Sequence, residues 1–184
     1  MAVGKTPQRI DAVEKVTGAA TYPADRVPDN ALHAVVVFTN QPHARLVDLD
    51  FTETLSAAGV VTVVTAADVP VNEYGLTLFD QPVFIGLDDN NRSSVPCDVS
   101  RWEADHLAVV VAENLVQARE ASALIKAQWE ILPIVSDVST AQSDEVLVHS
   151  NSTSNTYHEL RIRKGDSVRG MELADVVIED TYEL

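Results

Sequence analysis

The chain has 184 residues, 46% of them hydrophobic, which suffices for one domain or two small ones around a core that needs no disulfide or metal staple. Its formal charge of -15 repels phosphate backbones and anionic bilayers, so neither nucleic acid nor a membrane is an expected partner. Cys97, the one cysteine, excludes an internal disulfide and any multi-cysteine iron–sulfur or zinc site; the apolar runs are too short to span a bilayer, and the N-terminus has no apolar signal segment, so a cytoplasmic protein is expected.

No internal repeat is evident, and the elements are read from alternation and turn residues. Residues 1–30 form an extended arm, punctuated by Pro7, Gly18, Pro23 and Pro28, with one short turn over 11–15. Residues 31–38 (ALHAVVVF) read as a buried strand, and 44–50 (ARLVDLD) alternate as a half-exposed one. A short helix over 52–59 is capped by Thr52 and ended by a left-handed Gly59. A strand over 60–65 follows, then a helical turn over 66–69 stopped at Pro70. Residues 71–99 read as a long loop or flap, with an apolar island at 82–85 that could form an edge strand. The clearest unit is strand 107–112, helix 115–126 and strand 127–131, whose helix carries an apolar stripe of Leu115, Ala118, Ala121, Leu124 and Ile125. Residues 139–156 are a polar connection around a strand-like 146–148; 159–163 alternate, 164–166 turn, 168–173 are helical and 174–182 read as a strand. An apolar strand at that point needs neighbours from outside, so the ending reads as a cut.

The residues that could carry chemistry are few. Gly4-Lys5-Thr6 spells the end of a P-loop, but the glycine required upstream is missing and Pro7 pushes Thr6 away from helical geometry. Among His33, His43, His106, His149 and His158 no two stand at metal-pair spacing on a helix. His106 beside Asp105 is the one acid–base pair to consider, without a nucleophile; a hydrogen-bonded or exposed imidazole is the commoner outcome. Residues 88–91 (DDNN) lack the glycine and glutamate of a calcium loop, and the sequons at Asn91 and Asn151 read as polar surface. Cys97 has no basic neighbour to favour its thiolate. Arg161, Arg163 and Lys164 make a basic spot in an acidic chain, either a contact for an acidic surface or the wet face of a strand.

Taken together, several stretches carry a resemblance. Residues 4–25 with Arg9-Ile10-Asp11-Ala12, Lys15-Val16-Thr17-Gly18 and Ala20-Thr21-Tyr22, then Pro42-His43-Ala44-Arg45, then 59–70 (GVVTVVTAADVP), then 108–113 with Trp129-Glu130-Ile131-Leu132-Pro133, and last Arg161 to Asp166 with 174–179, follow one another in order. The chain resembles the large subunit of molybdenum hydroxylases, the xanthine dehydrogenase and aldehyde oxidase family, over nearly its whole length. Relatives place an aromatic residue, Gly-Glu or Gly-Gln and Pro before the apolar strand, whereas this chain has Trp102-Glu103-Ala104-Asp105-His106.

The resemblance implies a single α/β hammerhead domain over 1–184, α+β in class, with a mixed β-sheet and two or three helices packed mainly on one face. It implies a molybdenum-binding half that is not in this chain, with the molybdopterin ligands and the catalytic base there, so no catalytic, cofactor or metal residue carries over. The expected role is structural, packing against the molybdenum-binding domain and an iron–sulfur domain or subunit of an oxidoreductase that uses molybdopterin, iron–sulfur clusters and FAD, with a homo-oligomer as a further option. Pro42, His43, Arg45, Asp105, His106, Arg161, Arg163 and Lys164 are the expected domain-interface residues. The alternative is a free-standing acidic interaction module of the same fold without enzyme activity.

Overall fold

The computed structural model describes residues 3, 4, 6–75, 81–87 and 96–182. The P-loop-like triplet at Lys5 and the acidic run at 88–91 lie wholly or partly outside the described residues. The chain divides into two compact units, 1–134 and 135–184.

In the first unit the arm stays on the surface. Helix α1 (Ala12–Thr17) buries none of its residues and ends where Gly18 turns left-handed at φ 76. The strands β1 (His33–Phe38) and β2 (Ala44–Asp50) follow, then helix α2 (Thr52–Ser56) and strand β3 (Val60–Val64). Thr52 is the first helical residue rather than the cap: its N–H donates to Asp50 Oδ1 at 2.9 Å, so the capping carboxylate comes from the end of β2. Gly59 does adopt the left-handed conformation, φ 78, and the Gln117 side chain fills the place where a Cβ would stand. A one-turn helix (Ala66–Asp68) is closed by the Asp68 carboxylate, which accepts the Thr65 N–H at 2.8 Å.

Strands β4 (Val99–Ser100) and β5 (His106–Ala112), helix α3 (Leu115–Ser122) and strand β6 (Lys126–Ile131) complete the unit. The class is α+β, as expected. Among the described residues the sheet resolves into two three-stranded sheets in the orders β1-β5-β3 and β4-β2-β6, with every ladder antiparallel. Helix α3 is capped by Asn114, whose Oδ1 accepts the Gln117 N–H at 2.9 Å, and it packs on the first sheet through the buried Ala118 and Ala121. It stops at Ser122, four residues short of expectation, because Lys126 leaves to pair with Asp50 in the second sheet; Leu115 and Leu124 remain exposed. One core cluster holds Val63, Ala108, Val110 and Ala121, another Leu46, Ile85 and Leu107, and both receive Val37 and Ile125, which joins the two sheets through a common interior.

The apolar island at 82–85 is not an edge strand. Ile85 and Phe84 are buried, and the wholly enclosed Asn72 fixes them by exchanging two hydrogen bonds with the Phe84 backbone, each 2.9 Å. The Ile85 N–H then donates to His106 O at 2.7 Å and the Gly86 N–H to Cys97 O at 2.9 Å. Among the described parts of 71–99, this loop is therefore a plug of the core.

The second unit is built differently. Helix α4 (Val138–Ser143) is capped by Asp137, and α5 (Ser167–Glu172) by Asp166 after a left-handed Gly165. Between them Asn155 acts as a polar staple, donating to Ala141 O at 3.0 Å and Val146 O at 2.8 Å and accepting the Val148 N–H at 2.9 Å. No described residue of 135–182 is buried. The strands expected at 146–148, 159–163 and 174–182 do not form: no ladder includes them, since a strand exists only where a neighbour takes its backbone groups.

Candidate domain-docking site

Pro42, His43, Arg45, Asp105 and His106 share one neighbourhood of the first unit, where β1 ends and β2, β4 and β5 begin. The core of that neighbourhood is a polar knot. Thr39 and Ser100 are buried, their hydroxyls 3.0 Å apart, and the Ser100 hydroxyl donates to Gln41 O at 2.6 Å. The Thr39 N–H donates to Asp105 O and the Asn40 N–H to Glu103 O, each at 2.9 Å, with Asn40 held at φ 51.

Asp105 organises the turn over residues 101–105. Its Oδ2 accepts the Arg101 N–H at 2.8 Å and the Trp102 N–H at 3.1 Å, and its own N–H closes the turn on Trp102 O at 2.9 Å. A carboxylate gripping two successive amides holds the loop as rigidly as a special backbone conformation would. The turn projects Trp102, 63% exposed, and exposed Glu103 into solvent. The Asp105 carboxylate is thus spent on the turn. The exposed His106 ring instead lies among aromatics, 5.6 Å from the Phe38 ring and 6.2 Å from that of Phe84. These contacts give no support to an acid–base pair.

His43 and Arg45 act as tethers. The buried His43 donates from Nδ1 to Pro133 O, while Leu132 N–H donates to His43 O at 3.0 Å, which ties the start of β2 to the chain leaving β6. Arg45 pairs with Asp98, just before β4, and through Nε with Glu130 Oε2 of β6 at 3.6 Å. Pro42 alone of this stretch is exposed. In the second unit Arg161 forms a bidentate pair with Glu159, at 2.6 and 2.7 Å, and this hydrogen bond raises its pKa further. Arg163 and Lys164 are exposed beside it.

Thr39, Ser100 and Asp98 were not legible in the sequence, because short polar residues carry no local sign of the partners they meet in the fold. Trp102 had a signal, a tryptophan in a turn, that went unused. Among the described residues no group of three His, Cys, Asp or Glu side chains could hold a metal ion. A biological iron–sulfur cluster takes about four thiolates, and this chain has one cysteine, so the donor set does not fit such a cluster.

Fold and site together define an α+β domain whose ordered polar groups are used for internal bracing. Residues 17–133 match the family described as aldehyde oxidase and xanthine dehydrogenase, a/b hammerhead domain, and the chain belongs to that family. It is 29% identical over 98% of its length to the nicotinate dehydrogenase large molybdopterin subunit of Eubacterium barkeri, and 31% identical over 97% to the aldehyde oxidoreductase of Megalodesulfovibrio gigas. In structure it is similar to the aldehyde oxidoreductase of Desulfovibrio gigas, with a TM-score of 0.73, 29% identity and 91% of this chain covered. It is also similar to quinoline 2-oxidoreductase from Pseudomonas putida 86, with a TM-score of 0.69, 26% identity and 84% covered. The chain spans 40% of the length of the nicotinate dehydrogenase subunit and 19 to 20% of the two aldehyde oxidoreductase chains. No described helix is long and apolar enough to cross a membrane.

Proposed function

We propose that this chain serves as the non-catalytic hammerhead part of a cytoplasmic molybdopterin-dependent oxidoreductase, a structural piece that packs against a molybdenum-binding domain and an iron–sulfur domain or subunit. The parent enzyme would oxidise an aldehyde or a heteroaromatic carbon such as a purine, with molybdopterin, iron–sulfur clusters and FAD held outside this chain. In that setting the molybdenum centre outside this chain would supply the oxidative chemistry, and the residues here would position the domains. Pro42, Trp102 and Glu103 would face a partner from the rigid knot, with His43, Arg45 and Asp105 bracing them and His106 alongside. Arg161, Arg163 and Lys164 would do the same from the second unit.

One observation carries this reading. No described residue of the second unit is buried while Leu160, Ile162, Val176 and Ile178 are exposed, a pattern that calls for apolar cover from elsewhere. The relatives, named as molybdopterin and aldehyde oxidoreductase proteins, extend well past the length matched here and offer the kind of partner needed.

Co-expression with the molybdenum-binding part encoded with it should give a stoichiometric complex, with amides of 157–182 slowed in hydrogen exchange relative to the chain alone. The chain by itself should show no molybdenum on elemental analysis and no aldehyde oxidation. Stoichiometric molybdenum in the isolated chain, or turnover by it, would overturn the proposal.

A further inference from the structure

In the sheet ordered β1-β5-β3, one face packs under α3, where Val63, Ala108 and Val110 meet Ala121. Side chains alternate between faces along a strand, so the register places the neighbours of these residues on the opposite face. There Val109 stands between Val36 and Val64, Val111 lies beside Thr62, and β1 ends with Phe38 next to His106. Val36, Phe38 and Thr62 are exposed and Val64, Val109 and Val111 half-buried, and none of the six carries a charge.

The dimensions of this open face select what can cover it. Three strands span two inter-strand spacings, about 10 Å, which is the diameter of one helix. The seven residues of β5 extend about 23 Å, the length of a helix of about 15 residues. Charge then selects the ends of that helix. Within three positions of either end of these strands the charged residues are Glu103, Asp105 and Glu113, all acidic. Asp105 is held by the Arg101 and Trp102 amides. Glu103 and Glu113 lie beyond opposite ends of the central strand, both exposed, and neither has an ion-pair partner among the described residues.

We propose that this face seats an amphipathic helix of the molybdenum-binding part, with an apolar contact stripe and Lys or Arg near both ends. Charge complementarity favours such a helix over a second copy, because the chain carries a net charge of -15 and a copy would bring further negative charge to Glu103 and Glu113. Length favours the source. The match covers 98% of this chain but 40% of the nicotinate dehydrogenase large molybdopterin subunit, so most of that subunit lies outside it. The source of the helix rests on the proposed function; the shape and charge of the face do not.

The test is the dissociation constant of the co-expressed complex, measured by sedimentation. Val36→Asp puts a carboxylate under the helix and should weaken the complex by about tenfold or more, with the unfolding midpoint of the chain alone unchanged. Glu113→Lys should weaken it by about fivefold in about 0.05 M salt and by little in about 1 M, since screening removes the lost attraction. Asp48→Lys, an exposed charge on the other sheet, should have no such effect. Cys97 is buried, so a photo-cross-linker can be confined to the Val36→Cys position. It should capture one segment of the molybdenum-binding part with apolar residues three and four apart and Lys or Arg towards both ends. A complex that protects 157–182 yet ignores Val36→Asp overturns the helix and leaves the proposed function standing. So does a cross-link to an extended segment or to a second copy, or an equal loss with Asp48→Lys. Absence of any complex overturns both.

Discussion

The two units of this chain are held together by different physics. Residues 1–134 enclose apolar clusters shared between two sheets, whereas 135–184 hold two short capped helices and an Asn155 staple without one buried described residue. The first follows the rule that burial of apolar surface stabilises a domain. The second shows how far capping and side-chain to backbone hydrogen bonds can impose order alone; each contributes about 1 kcal/mol net, against a comparable entropy cost for every residue fixed. The lesson is that neighbouring segments of one chain can differ wholly in what makes them fold.

The sharpest way to break the comparison is a matched pair of truncations. Leu107→Ala removes a buried side chain at the join of the sheets and should cost about 2–5 kcal/mol in urea unfolding. Leu160→Ala, in the second unit and 74% exposed, should stay within about 0.5 kcal/mol of the parent. Equal effects would mean that the units share one core.

The next effect tests the polar knot. Asp105→Ala leaves the Arg101 and Trp102 amides without their carboxylate and should cost about 1–3 kcal/mol, with Trp102 emission changing at low denaturant. A smaller effect of opposite sign belongs to α2. Thr54 is fully buried with its hydroxyl unpartnered, so Thr54→Val should stabilise the chain by about 1 kcal/mol in the same unfolding assay.

The smallest effect is local and lies in the second unit. Hydrogen bonds from Ser139 and from the Thr140 amide and hydroxyl lower the Asp137 pKa to about 2 from 3.8. Because the folded value is depressed, the contribution is present above the unfolded pKa and lost as pH falls through the folded one. The Thr140 amide resonance should therefore move as pH drops from about 4 towards 2, and in Asp137→Ala it should not. Titration at the unperturbed carboxylate value would remove Asp137 as the cap of α4.

Much of the first unit was legible because its signals are local. The alternation of 44–50 reproduces β2 residue for residue, the apolar run 107–112 is β5 with one residue added, and Gly59 takes the left-handed turn its position implied. What failed depended on distant partners. Helix α3 ends early because Lys126 pairs with Asp50, and the island at 82–85 is buried because Asn72 holds it. Neither constraint leaves a trace in local periodicity. The alternation at 159–163 and 174–182 is a third case, a strand pattern written into residues that find no neighbouring strand among the described ones. At the candidate site, the family-like residues were readable, but the Thr39–Ser100 pair and the inward carboxylate of Asp105 required the fold.

The lack of buried residues beyond 134 also has a thermal signature. Heat capacity on unfolding comes chiefly from newly wetted apolar surface, at about 12–15 cal/mol/K per residue in ordinary domains. A unit whose described residues are at most half-buried adds little. Calorimetry on this chain should then register about 1.6–2.0 kcal/mol/K, the value for 134 residues, and not the roughly 2.2–2.8 kcal/mol/K that 184 conventionally folded residues would give. The boundary at 134 can in this way be read from a melting curve, and binding of an apolar partner to the second unit would restore the missing increment.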